Sequence, residues 1–77
     1  MKKIDYNNFL YIEGDESGDM GDYPTLWDTY RALKEIKEFD RRNKIEDTYH
    51  IYWVHGDVEQ ELSVRKYKNT LKWKVIG

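Results

Sequence analysis

The sequence has no cysteine, a single proline and no long apolar run. Without cysteine there is no disulfide staple, no thiolate nucleophile and no cysteine-ligated zinc, and a reducing compartment is the natural setting. Stability has to come from packing or from oligomerisation, so a homodimer is among the expectations. The opening Met1-Lys2-Lys3-Ile4-Asp5-Tyr6 lacks the apolar stretch of a secretory signal, and no later segment approaches the ~20 apolar residues of a membrane span. The expectation is a soluble, cytoplasmic protein with no membrane association. Scarce proline beside abundant Lys, Asp, Glu and Tyr is the bias of an AT-rich bacterial or phage genome.

A positive excess is also missing. The formal net charge is -2, whereas general nucleic-acid binders carry a clear positive excess or at least a basic face. The distribution is more informative than the sum. Residues 13–22 hold Glu13, Asp15, Glu16, Asp19 and Asp22 and no base; residues 65–77 hold Arg65, Lys66, Lys68, Lys72 and Lys74 and no acid.

At 77 residues the chain reads as one compact domain, residues 1–77, near the lower limit for independent folding, where about 60% of the unfolded surface can be buried. Asn8 to Glu13 is a short aromatic and β-branched run, apolar on both faces, and predicts a first strand. The glycine-rich acidic segment 13–22 shows no periodicity and predicts a solvated loop. A helix then opens at Pro24-Thr25, with Thr25 as N-cap and Asp28 completing a capping-box-like pair. Leu26, Tyr30, Leu33 and Ile36 recur at helical spacing, Trp27 and Phe39 widen that stripe, and Asn43 offers a stop.

From Thr48 the period changes to two. Thr48–His55 and Val58–Tyr67 flank Gly56-Asp57, a two-residue hairpin turn with glycine first. That turn fixes a register with Trp53 opposite Gln60, Ile51 opposite Leu62 and Tyr49 opposite Val64. A second turn at Lys68-Asn69 sets Val64 against Trp73, Leu62 against Val75 and Arg65 against Lys72, in a last strand ending at Ile76. The expected fold is α+β, in β-α-β-β-β order: one amphipathic helix on a small, mainly antiparallel sheet with a C-terminal three-stranded meander.

No catalytic constellation emerges, and the expectation is a non-enzymatic protein without a cofactor. His50 and His55 fall on opposite faces of one strand, so they share no metal. The register sets His50 against Ser63, but nothing supplies an oxyanion hole, a pocket or a third orienting group. Asp15, Ser17 and Asp19 have the alternate spacing of a calcium loop, yet Met20 stands where its turn glycine belongs and Leu26 where its bidentate glutamate belongs; no metal is expected.

Two binding surfaces remain. The acidic loop, with Glu13, Asp15, Glu16, Asp19, Asp22 and the adjacent Tyr23, can present the charge of a nucleic-acid backbone to a basic groove on another protein. Small inhibitors of nucleic-acid-handling proteins from phages and mobile elements work in this way. The plainer alternative is a solubilising loop whose Asp22 complements the positive end of the helix. The second surface is the outer face of the meander, where Tyr52 and Tyr67 stand with Arg65, Lys72 and Lys74. That combination of stacking rings and cations suits single-stranded nucleic acid; the plainer alternative is an ordinary solvated sheet face.

Overall fold

The computed structural model describes residues 3–77; Met1 and Lys2, where the expected unit begins, lie outside the described residues. One helix packs on a five-stranded, wholly antiparallel sheet. In chain order the elements are β1 (Asn8–Gly14), β2 (Gly18–Tyr23), α1 (Leu26–Asn43), β3 (Tyr49–His55), β4 (Val58–Tyr67) and β5 (Thr70–Val75). Spatially the strands run β2-β1-β3-β4-β5, so the first strand is flanked by β2 and β3 rather than placed at an edge.

The C-terminal meander forms in the expected register. Ile51 faces Leu62, Trp53 faces Gln60, Val64 faces Trp73 and Leu62 faces Val75. At the first turn Gly56 takes φ 62 and Asp57 has no positive φ, the pattern of a glycine-first hairpin turn. Two expected pairs are not made: Tyr49 with Val64 and His50 with Ser63. The β3–β4 ladder ends at Ile51 and Leu62. Upstream of Ile51, β3 pairs on its other side with β1, through Gly14 with Tyr49 and Glu13 with His50, while the far half of the ten-residue β4 leaves it to carry β5.

The expected loop over 13–22 is largely strand. Only Asp15–Ser17 turn; Gly18–Tyr23 doubles back along β1, and the sheet gains a strand that composition hid. A bulge explains the missing alternation. Tyr11 faces Asp22 while Glu13 faces Asp19, which leaves one more residue on β2 than on β1 between the pairs. Gly21 absorbs the extra residue at φ 110, where a side chain is strained. Met20 and Tyr23 still reach the core.

Leu10, Ile12, Ile51 and Leu62 are buried, and Leu26, Ala32, Leu33 and Ile36 of α1 pack over them. Thr25 caps the helix as expected: its Oγ1 accepts from the Asp28 N–H at 3.1 Å and donates to the Asp28 carboxylate at 2.7 Å. The buried stripe is more polar than the hydrophobic spacing suggests, since it includes Thr29 and Asp40. Thr29 satisfies its hydroxyl on the Thr25 carbonyl. Trp27 and Phe39 do not widen the stripe; they are 39% and 59% exposed. The helix contacts β1 and β2, so the β4–β5 end of the same sheet face is left open.

Candidate interaction surface on the open sheet face

The face of the sheet away from α1 carries no covering element among the described residues. Period-two geometry places Phe9, Tyr11 and Glu13 of β1 there, with Asp19 and Asp22 of β2 beside them and His50 and Tyr52 of β3 on the other side. The rings form a continuous ribbon. Tyr6 meets Phe9 edge-on at 5.2 Å, Phe9 lies 6.3 Å from Tyr11, Tyr11 stacks on Tyr52 at 5.0 Å, and Tyr52 lies 6.3 Å from His50.

Carboxylates surround this ribbon, and three of them, Glu59, Glu61 and Asp15, are bonded to it. The Tyr11 hydroxyl donates to Glu59 Oε1 at 2.5 Å. Burial, and then the bond to Glu59, push the Tyr11 phenol far above its ordinary value, so it stays a neutral donor. Burial chiefly, with Glu61 next, raises Tyr52 as well. His50 bridges two acids, Nδ1 to Glu61 Oε2 and Nε2 to Asp15 Oδ1, both at 2.9 Å. The bond to Glu61, followed by that to Asp15, raises the imidazole pKa above 6.5.

The acidic residues expected in a solvated loop are thus spread over a paired hairpin. Glu13, Asp19 and Asp22 point to the open face from paired strands. Asp15 is tied to His50. Glu16 lies in the turn, where the Asp47 carboxylate accepts from the Glu16 N–H at 3.0 Å, the Ser17 N–H at 2.9 Å, the Ser17 hydroxyl at 2.6 Å and the Thr48 N–H at 2.8 Å. The Ser17 hydroxyl bond, above all, keeps Asp47 below its ordinary carboxylate value. Tyr23 does not belong with these acids: it faces the helix side, packs on the core and donates its hydroxyl to the Met20 carbonyl at 2.8 Å.

The basic residues form a separate patch at the other end. Arg65 faces Lys72 and Ser63 faces Lys74 across the β4–β5 ladder, around a hollow of about 160 Å³. Glu61 forms no ion pair with this patch; its carboxylate bonds to His50 instead. Tyr67 is 60% exposed near Arg65, with Lys68 Nζ 5.5 Å from its ring centre. Tyr52 is not part of the patch; it faces Glu61 and stacks with Tyr11.

His55 lies on the opposite face from His50, stacked on Trp53 at 3.8 Å and bonded to Gln60. Among the described residues no group of three His, Cys, Asp or Glu is disposed to hold a metal ion.

Sequence reasoning missed Tyr11, Glu59 and Asp47. Period two over Asn8–Glu13 puts Phe9, Tyr11 and Glu13 on one face, a signal masked because the run carries apolar residues on both faces. For Asp47 there is no local signal of the clamp, since its partners in the turn, Glu16 and Ser17, are about thirty residues away. No protein-family model, characterised protein or solved structure matches the chain, so the surface has to be interpreted from its chemistry.

Proposed function

We propose that the protein is a non-enzymatic, cytoplasmic binding module that docks the acidic, aromatic half of its open sheet face onto a basic groove of a nucleic-acid-handling protein. In this reading it is an inhibitor of the nucleic-acid-mimic type, as phages and mobile elements encode. The observation that carries it is the ordered ribbon from Tyr6 to His50, set among Glu13, Asp15, Asp19, Asp22, Glu59 and Glu61. Aromatic rings with fixed positions give a partner contact area at low entropic cost, and charges held in place steer it and select a basic surface.

The test is capture from a bacterial lysate, with and without nuclease, by the wild type and a Glu13→Gln/Asp19→Asn/Asp22→Asn variant. The amide at position 19 keeps the oxygen that accepts from the Gly21 N–H, so the bulge is preserved. A nuclease-resistant protein captured by the wild type and lost by the variant supports the proposal. Capture of the same protein by both removes these acids from the account.

The second reading is single-stranded nucleic acid on the basic patch, favoured by the unrelieved Arg65–Lys72 pair with Tyr67 beside it. Binding there has to weaken steeply between low and physiological salt.

A further inference from the structure

The two edges of the sheet are built differently. On β2 the bulge at Gly21 bends the strand, Asp19 Oδ1 accepts from the Gly21 N–H at 2.9 Å and the Tyr23 hydroxyl donates to the Met20 carbonyl. A bulged strand whose backbone groups are engaged by its own side chains is a guarded edge. β5 has no such device. Its ladder is regular from Tyr67 with Thr70 to Leu62 with Val75, and no side chain among the described residues bonds to its backbone.

Register fixes which backbone groups of β5 are free. A two-residue turn at Lys68-Asn69 makes Tyr67 and Thr70 a hydrogen-bonded pair, and alternation carries the bonding to Lys72 and Lys74. It continues at Ile76, whose N–H donates to the Glu61 carbonyl at 3.0 Å. Leu71, Trp73 and Val75 therefore turn their N–H and C=O groups outward.

The same three residues place their side chains on the helix side, where α1 does not reach. Trp73 is 51% and Val75 42% exposed. Trp73 meets Trp53 edge-on at 5.8 Å, beside an apolar hollow of about 190 Å³ that extends to Leu10, Leu26 and Leu62. On the opposite face β5 shows Lys72 and Lys74, and among the described residues no carboxylate forms an ion pair with either or with Arg65.

We propose that β5 is a docking edge for an extended segment of a partner protein in which apolar and acidic residues alternate. The segment bonds to the backbone of Leu71, Trp73 and Val75 as an added strand. Its apolar side chains fall beside Trp73 and Val75 and close the hollow; its acids fall beside Lys72 and Lys74 and relieve the pair with Arg65. A second copy of the chain is a poor occupant. Pairing β5 with β5 sets lysine against lysine, and β2 is blocked by its bulge. A nucleic acid answers the cations but not the outward backbone groups or the apolar side. This edge lies across the sheet from the acidic ribbon, so it is a second surface, independent of the first.

The test is titration of the full chain with a blocked Glu-Val-Glu-Val-Glu-Val-Glu peptide and with its lysine counterpart, followed by backbone amide NMR. The acidic peptide is expected to give saturable shifts at Leu71, Trp73 and Val75, and the lysine peptide none. Lys72→Glu/Lys74→Glu is expected to weaken the acidic peptide about tenfold and admit the lysine peptide, on the scale of two cross-strand charge pairs. Leu71→Pro removes an outward N–H without breaking a bond to β4, so it lowers affinity while the remaining spectrum stays dispersed. No shift at β5, or equal shifts with both peptides, overturns the proposal. A response to a single-stranded oligonucleotide in place of the peptide overturns it in favour of nucleic acid. Shifts at β5 that grow with protein concentration alone, together with a rising mass, overturn it in favour of self-association.

Discussion

The Nε2 of His50 lies 2.9 Å from Asp15 Oδ1, which joins the third strand to the turn between the first two. The other ring nitrogen meets Glu61 on β4, so one partly buried imidazole ties three parts of the sheet together. Glu13 lies directly across on β1 and Tyr52 two residues along β3, which makes the surroundings acidic apart from one phenol. Both bonds have full strength only when both nitrogens carry protons.

The consequence is a pH dependence. The folded-state pKa is raised above the ordinary imidazole value of 6.5. The stabilisation is therefore fully present below about pH 6.5, and is lost as pH rises through the higher folded value. An NMR titration of His50 should place its midpoint above that of a histidine in an unstructured peptide, and Asp15→Asn should lower it. Amide exchange in the Asp15–Ser17 turn, corrected for its intrinsic pH dependence, should accelerate across the same window in the wild type and not in His50→Gln. A midpoint unmoved by Asp15→Asn removes the bridge from the explanation.

Asp47 clamps the turn from the far side, and Gly14 leaves it room. A Cβ at Gly14 would stand 2.7 Å from Asp47 Oδ2 and 2.9 Å from Tyr49 Cε1. Gly14→Ala should cost about 1–3 kcal/mol through overpacking. Asp47→Ala should abolish exchange protection at Ser17 while leaving the β3–β4 hairpin protected. Equal loss of protection in both places would mean that Asp47 supports the whole sheet rather than this turn.

The Tyr49 hydroxyl donates to the Asp40 carboxylate, which is 9% exposed in the last turns of α1. This bond fastens the end of the helix to the start of β3, and chiefly through it the Tyr49 phenol is raised above its ordinary pKa. Tyr49→Phe keeps the ring but leaves a nearly buried carboxylate without its donor, at a cost of about 1–3 kcal/mol. Denaturant unfolding measures it directly. A smaller loss in Tyr49→Phe/Asp40→Asn than in Tyr49→Phe alone would confirm that the orphaned charge, not the missing hydroxyl, carries the cost.

The meander was legible because two turns and one alternation pattern independently collect Ile51, Leu62, Val64, Trp73 and Val75 on one face, so a one-residue slip would have been visible. The helix was legible through Thr25 and Asp28. β2 was not, because glycine and aspartate have low strand propensity and the bulge breaks the period just where Met20 and Tyr23 turn inward. The candidate surface was half legible. Charge segregation is a property of the sequence, but the ribbon depends on Tyr11 of β1 meeting Tyr52 of β3, forty-one positions away, and no local pattern reports such a pairing.

The helix ends on a conformation that its residue does not favour. Lys44 takes φ 55 and ψ 40 and gives its backbone N–H to the Asp40 carbonyl, as does Ile45 at 2.9 Å. This is a position that glycine commonly takes at helix ends, because a Cβ in the left-handed region costs roughly 1–2 kcal/mol. Lys44→Gly removes that strain. It also frees the unfolded chain by about 0.5–1 kcal/mol and deletes one cation near the negative helix end, where Arg41 and Arg42 remain. The balance favours the variant by about 0.5 kcal/mol, or a rise in Tm of roughly 2–4 °C for a domain of this size. Lys68→Gly, at φ 56 in the last hairpin, should shift Tm in the same direction, and the pair should add because the two sites share no partner. A fall in Tm for Lys44→Gly with a rise for Lys68→Gly would show that the Lys44 side chain contributes more at the helix end than its backbone strain costs.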